Sequence, residues 1–161
     1  MRRWILRLLA LAVLVGLAVF FWPFLQSRQA QVEAQQQRFI KAVEQRNWAL
    51  VKELMDPNYE DQWKLHRDKS LSLAHELLSG FLILNLDWNS QGTKVDGDQI
   101  QAQGAIKMSG SGAGLSSEII NNAGQIHQPW TFVWRKTGWK PSDWRLVSIS
   151  NPELEGMVVP E

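Results

Sequence analysis

The chain has 161 residues, room for one domain and an appendage, and a formal charge of +1, so no global field draws it to nucleic acid or to an acidic partner. No basic cluster is interleaved with aromatics in the body of the chain, and nucleic acid is not expected as a partner. Cysteine is absent, which excludes disulfides, a thiol nucleophile, a thiolate metal site and a lipid anchor on cysteine.

The N-terminus, "MRRWILRLLALAVLVGLAVFFWPFL", carries Arg2, Arg3 and Arg7 and then no polar side chain from Leu8 to Leu25. At a rise of about 1.5 Å per residue this run covers roughly 27 Å, close to the bilayer core of about 30 Å. Trp4 and Trp22 fall near its two ends, where indoles favour the interface. The competing reading is a cleaved signal peptide. Against it, the run exceeds the usual apolar region of about 7–15 residues and ends in Phe20, Phe21, Trp22 and Phe24, not in small residues. The expectation is a single-pass membrane protein that meets lipid through residues 4–25. Its arginines place the N-terminus in the cytoplasm and the C-terminal domain outside it. The predicted layout is a cytoplasmic tip at 1–7, a transmembrane helix at 8–25, a helical stalk at 26–37, a folded domain at 38–152 and a tail at 153–161.

"SRQAQVEAQQQRFIKAVEQRN", from Ser27 to Asn47, has good helix formers and no Gly or Pro. Its second half bears a narrow apolar stripe of Phe39, Ile40 and Val43. The Gln- and Ala-rich first half has none, which suggests the stalk. Asn47 is placed to cap a short helix, "WALVKELM", that Asp56-Pro57 stops. Ser70 is placed to cap "LSLAHELLSG", whose Leu71, Ala74, Leu77 and Leu78 share a face and which Gly80 ends.

After Gly80 the period becomes two. "FLILNLDW" aligns Leu82, Leu84, Leu86 and Trp88, and "NSQGT" is expected to turn the chain. "QIQAQGAIKM" alternates Ile100, Ala102, Gly104, Ile106 and Met108 against Gln99, Gln101, Gln103 and Lys107, a strand with one wet face. "SGSGAGLSSEIINNAGQI" is expected to be a long flexible connection. "HQPWTFVWRK" and "WRLVSIS" are the third and fourth strands, and their period assigns Trp130, Trp134 and Trp144 to sheet faces. Together with Trp88 these form the predicted core or pocket aromatics. Trp139, in the connection "TGWKPSD", is expected to cover an edge.

Helices followed by an antiparallel meander predict an α+β fold with helices packed on a curved four-stranded antiparallel sheet. "FIKAVEQRNWALVKELMDPNYED", "QAQGAIKM" and "WTFVWRK" followed by "WRLVSIS" resemble, in pattern and order, the opening helices, the lining strand and the closing hairpin of the nuclear transport factor 2-like superfamily. That superfamily is also called cystatin-like or ketosteroid isomerase-like. The resemblance covers about residues 33–150. It implies a cone of sheet wrapped around helices, often with a pocket at the open end and often dimeric.

An isomerase of that kind needs a carboxylate base and a Tyr or acidic donor facing one cavity. Tyr59, Asp56 and Asp87 are the weak catalytic candidates, and no spacing forces them together. His66, His75 and His127 have no paired spacing, so neither a metal nor a cofactor is expected. "SGSGAG" lacks the Gly-Lys-Ser/Thr ending of a phosphate loop, and no Gly-x-Ser-x-Gly elbow occurs.

The leading functional expectation is a membrane-anchored extracytoplasmic interaction or scaffolding domain that binds a protein partner or a second copy of itself. Its layout is similar to the bitopic assembly subunit of type IV secretion systems. The expected partner surface is Gln101, Gln103, Lys107 and Arg135. The alternative is a tethered small-ligand binder, or an isomerase-like enzyme, that uses the cone interior.

Overall fold

A computed structural model of the chain describes residues 15–16, 24 and 26–156. Among these, no helix is long and apolar enough to cross a membrane. The tip predicted at 1–7 lies outside the described residues, the span predicted at 8–25 almost wholly so, and so does the predicted tail after Gly156.

Helix α1, Arg28–Glu44, starts where the Ser27 hydroxyl accepts the Ala30 N–H. Arg46, at φ 54°, then reverses the chain. Helix α2, Trp48–Leu54, is capped by Asn47 as predicted, with Oδ1 accepting the Leu50 N–H at 3.2 Å. Helix α3, Arg67–Ser79, begins earlier than expected. Ser70 lies in its first turn and donates instead to Asp61 at 3.1 Å.

Four strands follow in the order β1-β2-β3-β4, all antiparallel: β1 Phe81–Asp96, β2 Gln99–Gly112, β3 Trp130–Lys136 and β4 Trp144–Ser150. The first two run longer than predicted. "NSQGT" does not turn the chain but carries β1 through a register shift between Ser90 and Gly92. The turn is the two-residue loop Gly97-Asp98, with Gly97 at φ 61°, a conformation that glycine adopts freely. A second shift lies between Phe81 and Ile83. It breaks the expected face: Phe81 is buried, whereas Leu82 is 81% exposed. The "flexible connection" also holds structure. Helix α4, Ser116–Gly124, packs against β2, with Ile119 and Ile120 on the core.

The helices lie on one face of the sheet, and the core between them holds Phe39, Leu54, Tyr59, Phe132, Trp134, Trp144 and Leu146. The stretch 26–37, expected as a stalk, belongs to this domain. Val32, Gln35 and Gln36 are buried against the sheet within one continuous helix. The physical reason is the indoles. A buried indole N–H needs an acceptor, and α1 supplies three: Gln31 for Trp144 at 3.1 Å, Glu33 for Trp88 at 3.1 Å and Gln36 for Trp134 at 2.9 Å. A face of glutamines therefore packs inward without an apolar stripe.

Both sheet edges are covered in part. Residues 55–62 run beside β4, with the N–H groups of Asp56, Glu60 and Gln62 donating to Leu146, Val147 and Ile149. On the β1 edge, Glu44 accepts the Leu86 N–H at 3.0 Å. That bond and the Lys41 ammonium hold the Glu44 carboxyl below its ordinary pKa.

Candidate functional site

A cavity of about 280 Å³ lies between the helices and the sheet. Phe39, Ile40 and Val43 of α1 and Ala74 and Leu78 of α3 form one wall. Leu86, Ile106, Met108, Phe132 and Ile149 of the four strands form another, and Trp130, Ala123 and Ile126 close the end under α4. The described lining contains no titratable side chain. It can desolvate an apolar molecule but offers no group to take or give a proton.

A second concavity, a groove of about 410 Å³ outside the cone, runs between α1 and the β1 edge. Gln37, Lys41, Glu44, Asp87, Asn89 and Lys107 line it. Its Lys41 and Glu44 are paired with each other, and Glu44 also holds the strand edge. These groups serve the fold.

No family model matches the sequence, and no curated protein matches it. Solved structures do match. The structure of Bd1075 from Bdellovibrio bacteriovorus superposes with a TM-score of 0.56 at 10% identity, over 74% of this chain and 38% of that one. The chain thus spans well under half of Bd1075. A provisionally named scytalone dehydratase of Novosphingobium aromaticivorans gives a TM-score of 0.58 at 7% identity, over 74% of this chain and 79% of that one. A provisionally named dehydratase of the nuclear transport factor 2-like family from Streptomyces avermitilis gives 0.53 at 16% identity, over 74% and 91%. The fold is nuclear transport factor 2-like. At these identities the likeness concerns the backbone alone.

In this nuclear transport factor 2-like cone the apolar cavity is the interior, and none of the weak catalytic candidates lines it. Tyr59 is buried in the segment beside β4, where desolvation, and secondarily the charge of Asp61, push its hydroxyl well above the ordinary tyrosine range. Asp56 is buried and ion-paired with Arg135 at 2.7 Å. Its Oδ1 accepts the Asn58 N–H, and its carbonyl accepts the Tyr59 N–H. Asp87 is exposed in the outer groove. The structure brings Asp56 and Tyr59 into one turn and leaves Asp87 on the far edge. His66 faces Glu60 at 3.7 Å, His75 meets the Trp48 ring edge-on, and the His127 N–H donates to Glu153. Among the described residues no three metal-ligating side chains cluster.

The aromatics separate by role. Trp134 and Trp144 are fully buried core, Trp88 is buried over β2, and Trp130 lines the cavity. On the opposite sheet face, Gln101 is half-buried, while Gln103 and Lys107 are exposed. Gln103 donates to Thr131 at 3.5 Å. Arg135, placed on that surface by the sequence, is engaged by Asp56. Sequence reasoning missed Ala123 and Ile126 as lining residues. With Ile119 they repeat at intervals of four and three, the signature of a helix face.

Proposed function

We propose that the chain is a binding module whose cone receives a small apolar molecule, such as a single ring system or a short acyl chain, and performs no acid–base chemistry on it. The uniformly apolar lining of the cavity carries this reading. A volume of about 280 Å³ falls just below the range of about 300–1,000 Å³ usual for ligand sites, which suits a small molecule. Two structural neighbours are named as dehydratases. Such chemistry requires a proton donor and acceptor within reach of the bound molecule, and the described walls supply neither.

The module is held at a membrane by residues 8–25, with the cone on the extracytoplasmic side. The apolar run and its flanking arginines support this placement.

The test is a titration of the full chain in lipid nanodiscs with the neutral probe N-phenylnaphthylamine, subtracting empty nanodiscs. Saturable fluorescence that Ala123→Phe abolishes without lowering Tm supports the reading. Signal equal in the variant, or none in the wild type, overturns it.

A second reading, partner binding or self-association through the outer face of β2 and β3, is favoured by the solvent-facing Gln103 and Lys107 beside Gln101. In membrane crosslinking, Gln101→Glu with Gln103→Glu is expected to weaken recovery of that partner. Unchanged recovery sinks this reading.

A further inference from the structure

Two connections stand at one end of the sheet: the β1–β2 loop at Gly97-Asp98 and the β3–β4 connection at 137–143. The start of α1 stands there too, since Gln31 reaches Lys136 and Trp144. The most exposed large apolar side chain described at this end is Trp139, 76% exposed. A lone exposed indole is unremarkable, but this ring stacks on Phe24, with centroids 5.6 Å apart. Phe24 is the next-to-last residue of the apolar run Leu8–Leu25. Were that run to cross a bilayer as a helix, as its composition predicts, it would cover roughly 27 Å and use up the hydrocarbon thickness by its end. Phe24 would then lie at the interface, and the ring stacked on it at the same level.

We propose that this end of the domain seats on the phospholipid headgroup layer, with Trp139 as its interfacial anchor. The proposal rests on the reading of residues 8–25 as a retained membrane anchor. An indole suits that layer, apolar in body and polar at its N–H. Val95, 46% exposed on the neighbouring hairpin, adds a second apolar contact. The exposed Arg28 and Lys140 supply cations for lipid phosphates, set against Asp96, Asp98 and Asp143, while the Lys136 ammonium is engaged by Gln31, the Lys140 carbonyl and the Trp144 ring. Burial lowers the Lys136 pKa; the charge of Asp143 opposes this, and Arg28 adds a smaller lowering. The cavity lies toward the other end of the strands: Ile106 and Met108 line it, while the β2 start at Gln99 belongs to the seated end. At about 3.4 Å per residue the lining runs from roughly 10 Å beyond Gln99, where Phe132 pairs with Ala102, to roughly 30 Å at Met108. The cone's ligand then comes from the aqueous side or from a partner, not sideways out of the bilayer.

The chain has no cysteine, so single probes report cleanly. Ser142→Cys, beside Trp139, and Leu115→Cys, at the far end, are labelled separately with a nitrobenzoxadiazole dye. Each full chain is reconstituted into phosphatidylethanolamine–phosphatidylglycerol vesicles containing doxyl lipid. The expected result is quenching several-fold stronger at position 142 than at 115, reduced by Trp139→Ala in the Ser142→Cys background while the chain stays in the carbonate pellet. Equal quenching at both positions, or no effect of Trp139→Ala, with the chain still in the pellet, overturns the seating alone. Release of the unmodified chain by carbonate overturns the anchor reading and the seating with it.

Discussion

The indole N–H of Trp134 donates to Oε1 of Gln36 across 2.9 Å, and both side chains are wholly buried. The amide's own Nε2 has no partner among the described residues. A buried donor stripped of its acceptor costs about 1–3 kcal/mol. Gln36→Leu is therefore expected to lower the unfolding free energy by about that amount, measured in urea. A double-mutant cycle with Trp134→Phe should return a coupling energy of about 1 kcal/mol. Strictly additive losses would show that the bond contributes nothing.

Gly104 is the floor on which Trp88 lies. A Cβ there would come within 2.7 Å of the indole ring and would also strike the Asn89 carbonyl. Gly104→Val is expected to cost about 1–3 kcal/mol or more by overpacking, visible as a fall in Tm. A variant that melts with the wild type would mean that Trp88 has another place to go.

Tyr59 predicts a specific alkaline weakness. The folded chain keeps its phenol protonated above the ordinary value of 10.0, at which the unfolded chain ionises. The folded state therefore binds more protons above pH 10, and its stability falls as pH rises, by up to about 1.4 kcal/mol per pH unit. Tyr59→Phe should remove this component while changing stability little at pH 7. Parallel pH profiles for the two proteins would contradict the assignment.

Arg135 lies over Asp56, whose side chain is only 4% exposed, while the Arg135 side chain is 36% exposed. Arg135→Ala strands a buried carboxylate. The loss should stay below the 3–5 kcal/mol typical of a fully buried pair, at about 1–3 kcal/mol, because water reaches one partner. Denaturant unfolding measures it, and a neutral result would show that Asp56 finds water instead. Interface tests on that face therefore belong to Gln101 and Gln103, whose replacement leaves this pair intact.

Strand periodicity made most of the sheet legible. Ile100, Ala102, Trp134, Trp144 and Leu146 all fall where an alternation of two places them. Three local events were not legible, the shifts near Leu82 and Gly92 and the one between β3 and β4 at Val133–Trp134, because a bulge adds a residue without altering composition. The glutamines of α1 misled for a different reason. Hydropathy scores Gln36 as solvent-facing, and only the placement of Trp134, 98 residues later, turns it inward. Helix α4 was hidden by its Gly- and Ser-rich flanks, although Ile119, Ala123 and Ile126 carried the helical interval. The cavity was implied only by the family resemblance, with Trp130 among the aromatics assigned to core or pocket. It is the space left among four strands and three helices, and no single segment encodes it.

The indole clasp of α1 also bears on the order of folding. Gln36 and Gln31 emerge 98 and 113 residues before the tryptophans they hold. Until then water can occupy their amides, so the nascent helix waits hydrated where a leucine face would offer a sticky surface to its neighbours. These bonds form only once the last hairpin is in place, and they close loops of 98 and 113 residues, whose entropic cost grows slowly with length.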